Sequence, residues 1–356
     1  MATAPTIPAV GTPRLDIAVD KTDLSPDARG DIVSVELRDE VDLPAMLALT
    51  LSLWDRTRQR LKDAYFEQFQ LGTSVEVSLG LDRTLPIFAG EVAGLEPSFG
   101  GDTEGETLQV QAYNRLHRLR FGTHQRTFKD MTDSDIASSI ADEVGLKADV
   151  EKTAVKYPHI TQNNVNNLIF LLERARQNNY EVAVEDETLR FRKTRATEGP
   201  EMKLAYRRDL IHFIPRLRAV PEGGKVEVRG WDVKAKKPII GTAGSGDEAS
   251  KMGGAKSGAE LSAAAFAPST RTITDRAVAD ADEAQQIAKA CYNRQQRDFV
   301  EADGECLGIP ELRAGKTVEI AGIGNPFSGI YYVVSSTHSL GSDGYRTRFK
   351  VRRIAV

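Results

Sequence analysis

Residues Thr132 to Leu146 read TDSDIASSIADEVGL, and across them the hydrophobic period of the chain changes. Thr132 and Asp135 have the spacing of a capping box. Ile136, Ile140 and Val144 return to one helical face, and Gly145 stands where a helix stops. The 3.6-residue period continues: Leu168, Leu171, Leu172 and Ala175 mark a second helix starting near Asn164. Tyr180 to Val184 and Thr188 to Arg192 then flank Asp186-Glu187 as a hairpin. The segment from 121 to 199 is therefore expected to be a small α/β module.

Upstream the period is two. From Arg14 to Asn114 short β-type runs recur: Leu15 to Val19, Ile32 to Leu37, Leu47 to Leu53, Val75 to Leu79, Ile87 to Val92 and Leu108 to Tyr113. Gly, Pro and Asp mark most of the gaps, the rhythm of an antiparallel sandwich or barrel. Val75, Val77 and Leu79 would point to one face and Glu76 and Ser78 to the other. Trp54 to Gln70 breaks the rhythm, and its Leu61, Tyr65, Phe69 spacing predicts one helix crossing between strands.

Downstream of Lys203 the β rhythm resumes in His212 to Val220, Val226 to Val233, Thr317 to Ile320, Tyr331 to Ser336 and Tyr345 to Arg353. Gly241 to Ala267 is dominated by Gly, Ala and Ser and predicts a poorly ordered loop or tether. Asp280 to Arg297 predicts a helix with Ala284, Ile287, Ala288 and Cys291 buried. The fold expected is mainly β with an α+β insert. A flexible arm (1–13) precedes a first β module (14–120), and the α/β insert (121–199) precedes a second β module (200–356), which carries the 241–267 loop and the 280–297 helix.

Composition narrows the function. The 356 residues are 40% hydrophobic and 28% charged, enough for two or three cores, and the net charge of −4 carries neither a nucleic-acid footprint nor a polybasic membrane anchor. Cys291 and Cys306 alone make neither a disulfide framework nor a zinc site. Met1 to Pro13 lacks the basic start and apolar run of a signal peptide, and charges interrupt every hydrophobic run short of a bilayer span. Synthesis in the cytoplasm is expected.

No catalytic constellation emerges. Gly244, Gly246 and Ala249 match G-x-G-x-x-G/A, but more Gly-rich sequence follows where a dinucleotide site needs a helix, so no cofactor is expected. His117, His124, His159, His212 and His338 stand singly, and no G-x-S-x-G elbow surrounds any serine. Glu301, Asp303 and Glu305 alternate along one run, superficially like the acids of a glycosidase, with a solvated strand face as the plainer account. Arg346, Arg348, Lys350 and Arg352 occupy every other position of the last run, opposite Thr347, Phe349 and Val351. That stripe is either a solvated face that discourages edge-to-edge pairing or an interface for an acidic partner or a tube wall, and it is the candidate assembly site.

Several blocks, taken in order, resemble the phage late control gene D protein family, which includes contractile-phage baseplate hubs and the N-terminal part of VgrG-type spike proteins of type VI secretion. They are Phe88-Ala89-Gly90-Glu91-Val92, Tyr113-Asn114-Arg115-Leu116, Thr132 to Leu146, and Val226 to Asp232 with Ile240-Gly241. Gly308-Ile309-Pro310-Glu311-Leu312 with Gly315 and Val318 comes next, then Ser328 to Val333, and His338 leading into Tyr345 to Phe349. The middle helix departs from such proteins, with Gln162 to Asn167 where an acidic start is common, though Asn caps helices nearly as well. The resemblance implies a structural hub and not an enzyme: a homotrimer whose chains each contribute two tube-like barrel modules, adapting a sixfold tail tube to a threefold spike. Its implied partners are the tube protein, a spike on a separate chain and baseplate components, with no sequence-specific nucleic acid and no membrane insertion. The competing expectation is a peptidoglycan-degrading hub enzyme.

Overall fold

The computed structural model describes residues 11–100, 105–197, 199–221 and 224–356; residues 1–10 of the expected arm lie outside them. The chain opens with β1 (Arg14–Val19), β2 (Ile32–Glu40), β3 (Met46–Ser52), β4 (Ser74–Gly80), β5 (Leu85–Ser98) and β6 (Thr107–Tyr113). It then forms β7 (His124–Thr132), α1 (Asp133–Glu143), β8 (Lys147–Val150), β9 (Lys156–Val165), α2 (Asn167–Asn178), β10 (Tyr180–Glu185) and β11 (Thr188–Lys193). After β12 (Met202–Ala205) and β13 (Leu210–Leu217) come β14 (Lys225–Asp232), β15 (Lys237–Gly244), α3 (Gly258–Ala265), β16 (Thr270–Ile273) and α4 (Ala281–Gln295). The last strands are β17 (Val300–Leu307), β18 (Thr317–Ala321), β19 (Gly329–Gly341) and β20 (Gly344–Arg353).

One 13-stranded sheet takes its strands from both ends of the chain. The N-terminal strands lie in the order β2-β3-β6-β5-β4-β1, with the two-residue strand Thr22–Asp23 beyond β1, and the C-terminal ones in the order β13-β17-β20-β19-β18-β12. Numbered within each set, the two orders are the same. The departure is the outermost strand, since β1 runs antiparallel to β4 and β12 parallel to β18.

The match extends to irregularities. Register shifts at Ile32/Ser34 between β2 and β3, and at Leu210/His212 between β13 and β17, leave Val33 and Ile211 as equivalent bulge residues. Val92/Gly94 on β5 and Val333/Ser335 on β19 form a second equivalent pair. Ahead of β4 and β18 the same turn recurs: Gly72 N–H donates to Val92 O (2.8 Å) and Gly315 N–H to Val333 O (2.9 Å), while Val92 and Val333 N–H return to Thr73 O and Lys316 O. Both glycines have left-handed backbones, φ 88° and 82°, which a side chain would strain. Sequence carries the repeat here: Gly72 to Val77 reads GTSVEV and Gly315 to Ile320 reads GKTVEI.

Alternate residues of each strand set feed a core. Val35, Leu37, Leu47, Leu49, Val75, Val77, Val110 and Ala112 belong to one cluster, and Val300, Ala302, Val318, Ile320, Val333, Phe349 and Val351 to another. The two sets meet where β2 pairs antiparallel with the second half of β19, from Ser335↔Glu40 to Leu340↔Val35. Tyr345 of β20 is buried in the N-terminal cluster, and the Arg313 guanidinium binds Asp39 at 2.8 Å across the junction.

The first insert follows from its caps. Thr132 and Asp135 form the capping box of α1, and Asn166 caps α2 by accepting from Ile169 N–H at 2.9 Å. Arg174 of α2 is ion-paired with buried Asp133 of α1 and lies 4.6 Å from the Tyr157 ring centre, which locks the two helices over a shared core.

Two expectations need correction. Trp54 to Gln70 is not one helix: Trp54–Asp55 and Arg60–Leu61 pair as a short hairpin, and only Ala64–Gln68 is helical. Asp55 Oδ1 accepts from the N–H groups of Thr57 and Arg58 (both 3.0 Å), a local turn that competes with the helix. Gly241 to Ala267 is not a structureless tether. It completes β15 and contains α3, whose N-terminus has a Ser257/Glu260 capping box. Its small residues permit close approach: a Cβ on Gly258 would lie 2.4 Å from the Phe299 ring. Together with β14, β16 and α4, whose buried face includes Ala284, Ile287, Ala288 and Cys291, the segment makes a second insert with its own core.

His338 lies at the junction, fully buried, its Nε2–H donating to Leu312 O (3.1 Å) and its Nδ1 accepting from Tyr345 Oη (2.8 Å). Burial pushes its pKa from 6.5 down to about 3, so the folded chain holds it neutral. A base depressed by folding supplies stability that is present above pH 6.5 and lost as pH falls below it. Between pH 8 and pH 5 this histidine should cost the fold about 2 kcal/mol. Urea unfolding at both pH values checks it: His338→Gln, whatever its absolute stability, should lose about 2 kcal/mol less over that interval than the native chain.

Candidate assembly surface

The open face of the large sheet is polar along most of its breadth. On β20, Tyr345, Thr347, Phe349 and Val351 turn inward and Arg346, Arg348 and Lys350 outward. β20 is an interior strand between β17 and β19, so the stripe does not guard a sheet edge. Glu301, Asp303 and Glu305 of β17 face Arg352, Lys350 and Arg348 in register, and opposite charges directly across a ladder attract.

Glu305 sits at the centre of this pattern. Its side chain is nearly buried and receives Arg346 at 3.3 Å and Arg348 at 3.2 Å, with His212 Nδ1 3.9 Å away. Asp303 pairs with Arg216 of β13 (2.5 Å) and Glu301 with Arg218 just beyond its end (3.4 Å). The three acids that suggested hydrolysis are thus rungs of an ion-pair lattice, each held by arginine. The lattice gives way to Ser335, Thr337 and Ser339 on β19, then to Glu36 and Arg38 on β2, paired at 2.6 Å. Gln109 and Gln111 of β6 continue the polar face to β5, where Gln111 Nε2 donates to Glu96 Oε1 at 2.8 Å.

Arg352 differs from the other three members of the stripe. Its guanidinium lies 5.2 Å from the Tyr332 ring centre under cover of the first insert, and burial holds its pKa below the usual arginine range. It belongs to a polar junction between the two strand sets and both inserts. Tyr332 Oη donates to Glu181 Oε2 (2.5 Å), Arg192 Nε donates to Glu181 Oε1 (3.2 Å), and Asp42 Oδ1 accepts from Val182 N–H (3.1 Å). Burial pushes Asp42 and Glu181 above the ordinary carboxylate range and presses Arg297 down to about 10. Asn114 joins the same parts, accepting from Ala45 N–H (3.1 Å) and donating to Val184 O (3.3 Å), while Arg115 binds Glu91 and Glu187. The Tyr113 to Leu116 segment is therefore a structural strap.

The remaining candidates stay dispersed. Gly244 ends β15, which runs antiparallel to β14, so the glycine pattern has no βαβ context. Cys291 and Cys306 are both buried. No helix among the described residues is long and apolar enough to cross a membrane.

A family model described as the Alg8 N-terminal domain matches residues 10–342. No curated protein matches the sequence significantly. The fold is similar to that of the 43 kDa tail protein of prophage MuSo2 from Shewanella oneidensis, at 13% identity over 96% of this chain and 98% of that one, TM-score 0.71. It is also similar to a tail protein from Neisseria meningitidis MC58, at 11% identity over 96% of both chains, TM-score 0.66. A third likeness is to the Francisella PdpA–VgrG complex, at 9% identity, TM-score 0.58, where 96% of this chain spans 53% of its counterpart. The fold is that of phage tail proteins and of VgrG, as the sequence resemblance implied.

The lattice predicts unequal costs along the stripe. Lys350→Gln should change stability by less than about 0.5 kcal/mol. Arg346→Gln with Arg348→Gln should cost about 1–3 kcal/mol, because Glu305 is then left nearly buried without its arginines. Adding Glu305→Gln should recover most of that loss in urea unfolding, which a cost due to lost arginine packing would not do.

Proposed function

The chain belongs to the family of the Alg8 N-terminal domain, and from its tail-protein fold we propose that it is the structural hub of a contractile tail or related injection machine. In this role three copies form a ring that joins a sixfold tube to a threefold spike. One observation carries the proposal: the same six-strand arrangement occurs twice in one chain, with matching bulges, joined edge to edge. Three such chains present six similar rims, while the two inserts occur once per chain and mark the threefold.

The polar face suits the same role. Its charges are mostly satisfied by neighbouring strands, so it is a pre-formed surface that a partner or a water-filled lumen can meet without rearrangement. Each acid that could serve hydrolysis is held by arginine, which supports assembly over the cell-wall enzyme as the working function.

Stoichiometry tests it. Electron cryo-microscopy of particles carrying this protein should find three copies per ring, with the N- and C-terminal strand sets alternating around six positions beneath the tube. Six copies per ring, or a single copy on the axis, would remove the adaptor role.

A further inference from the structure

Besides the outermost strands β1 and β12, two edges of the large sheet remain unpaired among the described residues. One belongs to β13, which ends the strand order beyond β17. The other is the second half of β5: Leu85 to Glu91 pair with β4 on that side, and beyond the Val92/Gly94 bulge only β6 holds the strand, on its other side. These edges are the equivalents of the two that are joined inside the chain. β13 corresponds to β2, and the second half of β5 to the second half of β19.

We propose that β13 of one copy pairs antiparallel with the outer half of β5 in the next copy, in the register of the internal β2·β19 junction. The proposal rests on the ring reading above and specifies its contact. Aligned bulge to bulge, Leu95 and Glu96 take the places of Ser336 and Thr337, and Leu217 and Arg216 those of Asp39 and Arg38. Since Ser336 faces Asp39 and Thr337 faces Arg38, Leu95 would face Leu217 and Glu96 would face Arg216. Apolar meets apolar and acid meets base in a register set by the bulges and not by these side chains.

Exposure and backbone chemistry agree with a second copy as occupant. Leu217 (42% exposed), Ile214 (50%) and Phe99 (62%) are large apolar side chains left at these two edges. Their counterparts Asp39, Glu36 and Leu340 lie at the internal junction, where Leu340 packs against the N-terminal core. In that junction Val41 N–H donates to Val334 O (3.0 Å), so the backbone groups of Ser336 and His338 point across the seam. The equivalent of His338 is Pro97 and that of its partner Leu37 is Pro215. Each proline removes an outward N–H from a free edge, which discourages indiscriminate strand addition, and in the copied register they face one another, so the missing donors fall on a single pair, which gives up both its ladder hydrogen bonds. The two edges differ, so the contact is head-to-tail and must either close into a ring or run on as a filament.

Disulfide trapping tests the register. Glu96 and Arg216 would form a non-hydrogen-bonded pair with Cα atoms about 4.5 Å apart, within disulfide reach, whereas Ile214 lies about 7 Å further along the strand. The native cysteines are buried. The full-length chain carrying Glu96→Cys and Arg216→Cys should, on mild oxidation at high protein concentration, give a closed covalent trimer free of thiol at those positions. It should form at least about tenfold faster than any product of Glu96→Cys with Ile214→Cys. Trimers found by mass photometry without the 96–216 disulfide would overturn the strand pairing and leave the ring standing. A chain that stays monomeric by mass and forms no disulfide at any concentration would overturn both.

Discussion

The fold depends on one antiparallel seam. Where β2 lies against β19, two strand sets that could each have been separate sheets become one, and each loses an edge that would otherwise be open to pairing with other chains. The seam is also where side chains cross: Tyr345 enters the opposite core, Arg313 reaches Asp39, and His338 is sealed beneath them. An apolar seam would have sufficed for stability. The buried histidine and ion pair add orientation, because their partners are single atoms at fixed distances.

The inserts brace that seam from outside. Asp42, in the turn after β2, is held by Val182 of the first insert, and Tyr332, at the start of β19, by Glu181 of the same strand β10. Gln286 of the second insert donates to Asn178 of the first at 2.6 Å. Neither insert contributes a strand to the large sheet, yet the first is bonded to both of its halves and the second to the first. Burial of Asp42 and Glu181 raises their pKa, so acidification neutralises this brace while His338 is still held neutral.

Much of this was legible in the sequence. Alternation found the N-terminal strands and most of the C-terminal ones but not β12, the capping box found α1, the apolar period found α2 and α4, and the Asp186-Glu187 turn found the β10–β11 hairpin. The seam was not legible, because no local pattern couples Val35 to Leu340 across the length of the chain. One signal was present and passed over: GTSVEV and GKTVEI begin the equivalent strands β4 and β18, too short a likeness to stand out until the two turns are seen to make the same hydrogen bonds. Composition misled at Gly241 to Ala267, where few large side chains suggested disorder. Small residues also allow backbone to pack directly on aromatic rings, as Gly258 does on Phe299. At the candidate site, the alternation of Arg346, Arg348 and Lys350 is visible, but the acid that organises them, Glu305, lies in a separate run some forty residues away in sequence, and only the β17–β20 pairing brings it to them.

The internal seam also changes the statistics of encounter. When two rims are carried on one polypeptide, their meeting is a unimolecular folding event whose loop-closure entropy is settled within a single chain. A ring of six rims made from separate subunits loses the translational and rotational freedom of six bodies, whereas one made from fused pairs loses that of three, and each body lost to association costs several kcal/mol at standard concentration. Fusion also fixes the alternation of the two rim types before any collision takes place, so incorrect orders cannot be sampled.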